Sequence, residues 1–190
     1  LQLISHQQGV LSEAPSYLFG IKSLEVSGVG GFLSWSVFTM PFMWIIFIIF
    51  FISSLAESNR VPFDLPESES ELIGGYFTEY SGFRWGLFML AEYAMMLLVS
   101  FLGAILFFGG WNTPLPNIGS LALADWTTGP LWGVVWLFGK ATLFIFLQIV
   151  IRWTYPRLRV DQLMALSWKY LTPAAILLLF VVGIWKLWVI

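Results

Sequence analysis

The chain has 190 residues, of which 58% are hydrophobic and 11% charged, and its formal net charge is −2. Soluble domains average about 25% charged residues, so the composition excludes an ordinary soluble protein and indicates an integral membrane protein. The absence of Cys and the single His, His6, exclude iron–sulfur ligation, disulfides, a His/Cys metal cluster and a bis-histidine haem within this chain.

The hydropathy pattern predicts an all-α membrane protein with about four transmembrane helices. A hydrocarbon core of about 30 Å requires roughly 20 apolar residues in a helix. Residues 1–36 are predicted to form an extramembrane loop with the possible tail of an earlier span. Residues 37–190 form the predicted membrane domain, with Pro41 accommodated in the first turn of its first helix. Its spans are expected at about 37–56, 85–108, 131–151 and 171–189.

The loops between the predicted spans differ in charge. The 57–84 and 152–170 loops contain the basic residues Arg60, Arg84, Arg152, Arg157, Arg159 and Lys169, whereas the 109–130 loop contains no Lys or Arg. Basic residues concentrate on the cytoplasmic side of membrane proteins. The first two loops are therefore predicted to face the cytoplasm or the mitochondrial matrix.

Three ionisable residues lie within or at the edge of the predicted spans, namely Glu57, Glu92 and Lys140. A charge at the centre of a membrane helix costs roughly 2.5–3.5 kcal/mol, so each should face the protein interior or a wet cavity. One interpretation is a structural Glu92–Lys140 ion pair. The other is a proton path in which Glu92 and Glu57 are stepping sites.

An acidic stretch, AESNRVPFDLPESESEL at 56–72, follows the first predicted span, and six carboxylates lie between Glu57 and Glu79. Asp64-Leu65-Pro66-Glu67 resembles a helix N-terminus with a capping-box acid, which predicts a short helix over 66–76. A solvated acidic surface is one interpretation of this loop. Its interleaved apolar residues favour burial against a partner, and the residues alone leave both interpretations open.

Three segments together resemble the NuoH-type quinone-chamber subunit of respiratory complex I, the proton-pumping NADH:quinone oxidoreductase. They are AESNRVPFDLPESESELIGGYFTEYSGFRWGLFMLAEYAMM from residue 56, GGW at 109–111 and YPRLRVDQLMALSWKYLTP at 155–173. The resemblance covers roughly residues 40–180. It implies a subunit of NADH:ubiquinone reductase that is not catalytic alone, with ubiquinone as substrate and with NADH, FMN and iron–sulfur clusters in partner subunits.

The resemblance also implies roles for particular residues. The acids implied in proton coupling are Glu57, Asp64, Glu67, Glu69, Glu71 and Glu92, and Lys140 joins them as an intramembrane charge. The residues assigned to the quinone chamber are Arg60, Phe63, Phe88, Met89, Arg152 and Arg157. Those assigned to docking of the 57–84 loop are Glu79, Tyr80 and Arg84. No cofactor-binding or metal-binding residue is predicted.

The chain looks like the C-terminal half of this family, whose members normally have roughly four earlier spans. Met95 stands where the family usually has Asn, and Ser58 replaces Thr. The expected partners are other complex I subunits, including the one with the terminal iron–sulfur cluster, a separate chain supplying the N-terminal half, and lipid, but no nucleic acid. The expected location is the mitochondrial inner membrane, with a bacterial plasma membrane as the alternative.

Other functions fit part of this pattern. A related subunit of a membrane hydrogenase would keep the Glu and Arg residues but differ from PFDLPESESELIGGY. A non-redox ion transporter would account for the intramembrane charges, although not for the acidic loop. A purely structural anchor is the least specific alternative.

Overall fold

The computed structural model describes residues 17–21, 31–64, 78–117, 123–127 and 129–189. Every regular element within these residues is helical, which confirms the predicted all-α class. A π-helical segment, Ala165–Leu171, joins the last two α-helices. The α-helices are α1 (Ser36–Thr39), α2 (Met43–Glu57), α3 (Phe83–Phe107), α4 (Leu123–Trp126), α5 (Pro130–Thr154), α6 (Val160–Met164) and α7 (Thr172–Val189).

Three helices in the described part of the chain are long and apolar enough to cross a membrane. They are α3, α5 and the continuous helix Val160–Trp188 that contains α6, the π segment and most of α7. Helix α2 is also apolar but has 15 residues, which gives it a length of about 22 Å. The chain is therefore a multi-pass membrane protein.

Pro41 interrupts the first predicted span. The sequence placed it within a helix beginning near residue 37, but Met40 is extended (φ −126°, ψ 134°) and α2 begins at Met43. The reason is steric, because the ring of a proline excludes the preceding residue from the helical region. The expected helix at 37–56 is therefore divided into α1 and α2.

The predicted 152–170 loop is mostly helical. Helix α5 continues to Thr154, only residues 155–159 are non-helical, and α6 begins at Val160. Pro156 favours the extended conformation seen at Tyr155. The Arg159 N–H then donates to Gln162 Oε1 at 3.2 Å, which caps the new helix. The fourth helix consequently starts well before the predicted residue 171.

The core lies where α3 packs along α5 and α2 crosses both α3 and α7. The Phe47 ring of α2 lies 5.3 Å from that of Phe107 and 5.7 Å from that of Phe144. Gly103 makes this contact close, since a Cβ there would lie 3.1 Å from the rings of Phe50 and Phe144. A phenyl cluster thus joins α2, α3 and α5.

The helices bring two groups of residues to opposite ends of the molecule. One group, here called the Arg60 end, comprises residues 58–64, the first turns of α3 and residues 152–159. The other, the Lys140 end, comprises residues 31–35 and 108–117, which are linked by a hydrogen bond from Phe32 N–H to Pro114 O at 3.1 Å. The predicted site residues divide between these two ends.

Candidate functional site

Two sequence motifs that are far apart in the chain meet at the Arg60 end. The Leu158 N–H donates to Pro62 O at 3.0 Å, which joins the 155–159 segment to the turn after α2. Arg157 Nη2 lies 4.0 Å from Asp64 Oδ2, and the Asp64 side chain is almost fully buried. The structure therefore brings together one predicted coupling acid, Asp64, and one predicted chamber residue, Arg157.

The turn after α2 folds so that Arg60 points inward. The Ser58 hydroxyl donates to Ser54 O at 2.9 Å and closes the last helical turn. Asn59 then adopts a left-handed conformation (φ 48°), which Asn tolerates better than most residues. The Arg60 N–H donates back to Leu55 O at 3.2 Å. The segment Ser58-Asn59-Arg60 thus ends α2 and turns the Arg60 side chain into the protein.

Arg60 is 7% exposed, and its guanidinium carbon lies 4.3 Å from the centre of the Tyr93 ring. This cation–π contact favours the charged group. However, Nε and Nη2 of Arg60 have no hydrogen-bond partner among the described residues. Buried charged groups are normally paired or hydrogen-bonded, and this edge of the guanidinium is an exception among the described residues.

Arg60 also lines a cavity of about 180 Å³ between the turn, α3 and α5. Gln148 on α5 also lines this cavity, is 2% exposed, and has no partner for Oε1 within the described part of the chain. Sequence reasoning missed Gln148, although an amide in the apolar run LFIFLQIVI was a usable signal. The lining residues are Arg60, Tyr93, Met96, Gln148, Ile149, Arg152 and Trp153.

The predicted coupling acids that the structure describes all belong to the Arg60 end. Glu57 is exposed on the last turn of α2, and Glu92 is half-buried on α3, one residue before Tyr93. Asp64 is buried beside Arg157. The predictions for Glu67, Glu69 and Glu71, and for the helix over 66–76, lie outside the described residues.

The other predicted chamber and docking residues lie in the first turns of α3, in the residues just before it and, for Phe63, in the turn after α2. Phe88 is exposed and packs edge-to-face against Tyr80, with ring centres 4.7 Å apart. Met89 is half-buried and Phe63 is buried. Glu79, Tyr80 and Arg84 are exposed, so their predicted docking role stays a prediction.

Lys140 lies at the opposite end and does not pair with Glu92. Its Nζ donates to the carbonyls of Phe108, Gly110 and Asn112 at 2.7, 2.9 and 2.6 Å. Phe108 follows Glu92 by 16 residues, a distance of about 24 Å along a helix. An ammonium has three donors, and these carbonyls satisfy all three. The Glu92–Lys140 ion pair considered from the sequence is therefore wrong.

A glycine turn creates the Lys140 site. Gly109 and Gly110 have positive φ values of 71° and 54°, a conformation that glycine adopts at little cost. The Gly110 N–H donates to Ala104 O at 2.9 Å and caps the end of α3. The Trp35 ring completes the site, with its centre 4.7 Å from the Lys140 Nζ. Phe108 and the GGWN turn at 109–112 thus direct three carbonyl oxygens at one half-buried ammonium.

Comparisons with known proteins place these features in a family. The model of the family described as NADH dehydrogenase matches residues 5–183. The chain is 56% identical to an H subunit of the NADH-quinone oxidoreductase of Cytophaga hutchinsonii, over 99% of this chain and 55% of that protein. It is 57% identical to the H subunit of the NADH-quinone oxidoreductase of Chlorobium luteolum, over 86% of this chain and 44% of that protein. The chain spans about half the length of these curated relatives.

Proposed function

Because the chain belongs to the NADH dehydrogenase family, we propose that it forms part of the membrane subunit of respiratory complex I that lines the quinone chamber. In this role it couples quinone reduction to proton translocation. The observation that carries the proposal is the Arg60 end, where the PFD and PRLR segments pack together beside a cavity that Arg60 and Arg152 line.

The chemistry that this part of the complex supplies is positioning and charge. The redox reaction itself belongs to the quinone and to NADH, FMN and iron–sulfur clusters, which the proposal assigns to partner subunits. Those partners include the subunit with the terminal iron–sulfur cluster and a chain that supplies the remaining half of the quinone-chamber subunit. The bacterial relatives favour the plasma membrane of a bacterium over the mitochondrial inner membrane.

Within the proposed chamber, cationic and apolar residues have separate tasks. Arg60 and Arg152 line the cavity and can donate hydrogen bonds to a quinone carbonyl. Phe88 and Met89, on the neighbouring turns of α3, offer apolar contact to the quinone ring or tail. Arg157 acts through Asp64, which it holds at 4.0 Å.

The proposed proton path uses the acids of the same end. Glu57, Asp64 and Glu92 are the described members, and Glu67, Glu69 and Glu71 extend the path by family resemblance. Lys140 is left out of the path, because its three donors bind backbone carbonyls at the far end of α3. Its satisfied hydrogen bonds favour a structural role.

Photolabelling of the intact complex tests the chamber assignment. A photoreactive quinone-site inhibitor should label peptides from the Arg60 end of this chain, and excess quinone should prevent the labelling. Peptides from the 108–117 turn serve as the internal control and should stay unlabelled. Labelling confined to other subunits, or labelling that quinone does not displace, would contradict the proposal.

A further inference from the structure

Three large apolar side chains are exposed together where α4 leads into α5. Trp126 and Leu131 are more than three-quarters exposed, Trp132 is exposed as well, and the two indole rings lie 6.3 Å apart. These three residues are here called the tryptophan patch. Exposed apolar patches mark contact with another protein or with a membrane.

Buried hydrogen bonds hold the backbone beneath this patch. The Thr127 hydroxyl donates to Thr113 Oγ1 at 2.9 Å, and both residues are buried. The N–H of the buried Ala124 donates to Asn117 Oδ1, also at 2.9 Å. Because the chain is fixed on both sides of Trp126, the outward position of this ring belongs to the folded shape of the loop.

The spacing of exposed tryptophans along two helices identifies the surface that the patch contacts. On α5, Trp132 and Trp153 are 21 residues apart, which is about 32 Å in a helix. On the continuous helix Val160–Trp188, Trp168 and Trp188 are 20 residues apart, which is about 30 Å. All four side chains are exposed. Both distances match the hydrocarbon core of a bilayer, which is about 30 Å thick.

A lipid surface explains this spacing, whereas a protein partner does not. A protein contact has no reason to set exposed tryptophans the same distance apart on two separate helices. The two surfaces of a bilayer impose that distance on both helices, and tryptophan is enriched at these surfaces. The residue suits this position because its ring is apolar and its N–H can donate to a polar neighbour.

We propose that the tryptophan patch is a membrane anchor, in which α4 and the first turn of α5 rest in the phospholipid headgroup layer on the Lys140 side of the bilayer. Trp126 enters this layer from the loop, and Trp132 enters it from the helix. Lys140 follows Trp132 by eight residues, a distance of about 12 Å toward the bilayer centre. The anchor therefore holds the Lys140 ammonium within the hydrocarbon layer, where backbone carbonyls replace the water that lipid does not supply.

Photoreactive phospholipids test the anchor in the intact complex, reconstituted in nanodiscs of phosphatidylethanolamine and phosphatidylglycerol. One probe carries a diazirine next to the headgroup, and the other carries it at the end of an acyl chain. The headgroup probe should label residues 126–132 several-fold more than the chain-end probe, and residues 142–147, in the middle of α5, should show the opposite preference. Labelling of 126–132 without a preference for the headgroup probe, or no labelling there, would overturn the anchor. Neither result depends on quinone reduction, so failure of the proposed function would be recognised separately.

Trp126→Ser tests the ring itself, with Trp126→Tyr as the matched control. Trp126→Ser removes the ring, so headgroup labelling of residues 127–132 should fall several-fold. Trp126→Tyr keeps an aromatic ring with a polar group and should preserve the labelling. Equal labelling of the two variants would overturn the role of Trp126. If Trp126→Ser does not assemble, the preference between the two probes in the unaltered complex still decides whether the anchor exists.

Discussion

Two cations, the buried Arg60 and the half-buried Lys140, differ in how their hydrogen-bond donors are satisfied. Lys140 is surrounded by carbonyls that use its three donors, and the aromatic face of Trp35 lies beside it. Arg60 has an aromatic neighbour as well, but the edge formed by Nε and Nη2 has no partner among the described residues. The satisfied cation fits a structural role, and the unsatisfied one fits a binding role.

The structural role of Lys140 predicts a loss of stability in Lys140→Met. The substitution keeps a side chain of similar length but leaves three carbonyls without donors. At about 1 kcal/mol for each lost hydrogen bond, the loss is on the order of 3 kcal/mol. Thermal unfolding of the assembled complex should show a lower midpoint, while Lys186→Met, at an exposed position on α7, should not. Normal stability combined with lost proton pumping would instead identify Lys140 as a proton relay.

The proposed coupling role of Glu92 predicts a different phenotype for Glu92→Gln. The substitution preserves volume and removes the titratable proton, so the complex should assemble while quinone reduction coupled to pumping falls by about 100-fold, the low end for a lost proton-transfer group. Proton uptake by membrane vesicles measures this, with Asp161→Asn as a control at an exposed acid of α6.

The structure also predicts that adding Lys140→Met will not rescue Glu92→Gln. Lys140 Nζ binds the carbonyl of Phe108 at the end of α3, 16 residues after Glu92, and distant substitutions are usually additive. Rescue by the double substitution would show that the residues form a pair in the assembled complex and would contradict the separation described above.

At the scale of the helix, the sequence predicted the long elements well and their interruptions poorly. The expected spans at 85–108 and 131–151 lie close to α3 and α5. A long apolar run in a membrane forms a helix because a helix satisfies its backbone hydrogen bonds internally. The break at Pro41 and the early start of α6 depend on single steric and capping effects, which hydropathy does not detect. The partners of Lys140 were inaccessible to sequence reasoning because backbone carbonyls carry no residue signature.

The GGWN turn gives a prediction at this scale. Gly110→Ala places a Cβ on a residue with φ 54°, which costs about 1–2 kcal/mol and moves a carbonyl that binds Lys140. Unfolding of the assembled complex should show this loss. Gly183→Ala is the matched control, since that helical glycine has open space around it and alanine is the better helix former.

Combining Gly110→Ala with Lys140→Met provides a further check of the turn. If the turn and the ammonium form one unit, the double substitution should destabilise the complex by less than the sum of the single effects. Simple additivity would indicate that the turn keeps its shape without the lysine.

For the whole molecule, the family resemblance assigned Arg60, Arg152 and Arg157 to the quinone chamber and Asp64 to proton coupling. The structure shows these four residues at one end, and their roles stay predictions. Gln148 was missed because its importance depends on a cavity formed by three separate segments. Much of the remaining surface is apolar and uncovered, including Phe83 at 83%, Trp153 at 85% and Trp188 at 86% exposure.

The proposed function predicts that the chain acts only within an assembly. Lipid can cover apolar side chains, but it cannot supply the quinone-reducing chemistry or a partner for the open edge of Arg60. Expressed alone, the chain should enter the membrane and show no quinone reductase activity, whereas the native complex should show that activity. Native mass spectrometry of the detergent-extracted complex should find this chain bound to other subunits. A stable monomer that reduces quinone would contradict the proposed function, because the proposed reduction of quinone takes its electrons from partner subunits.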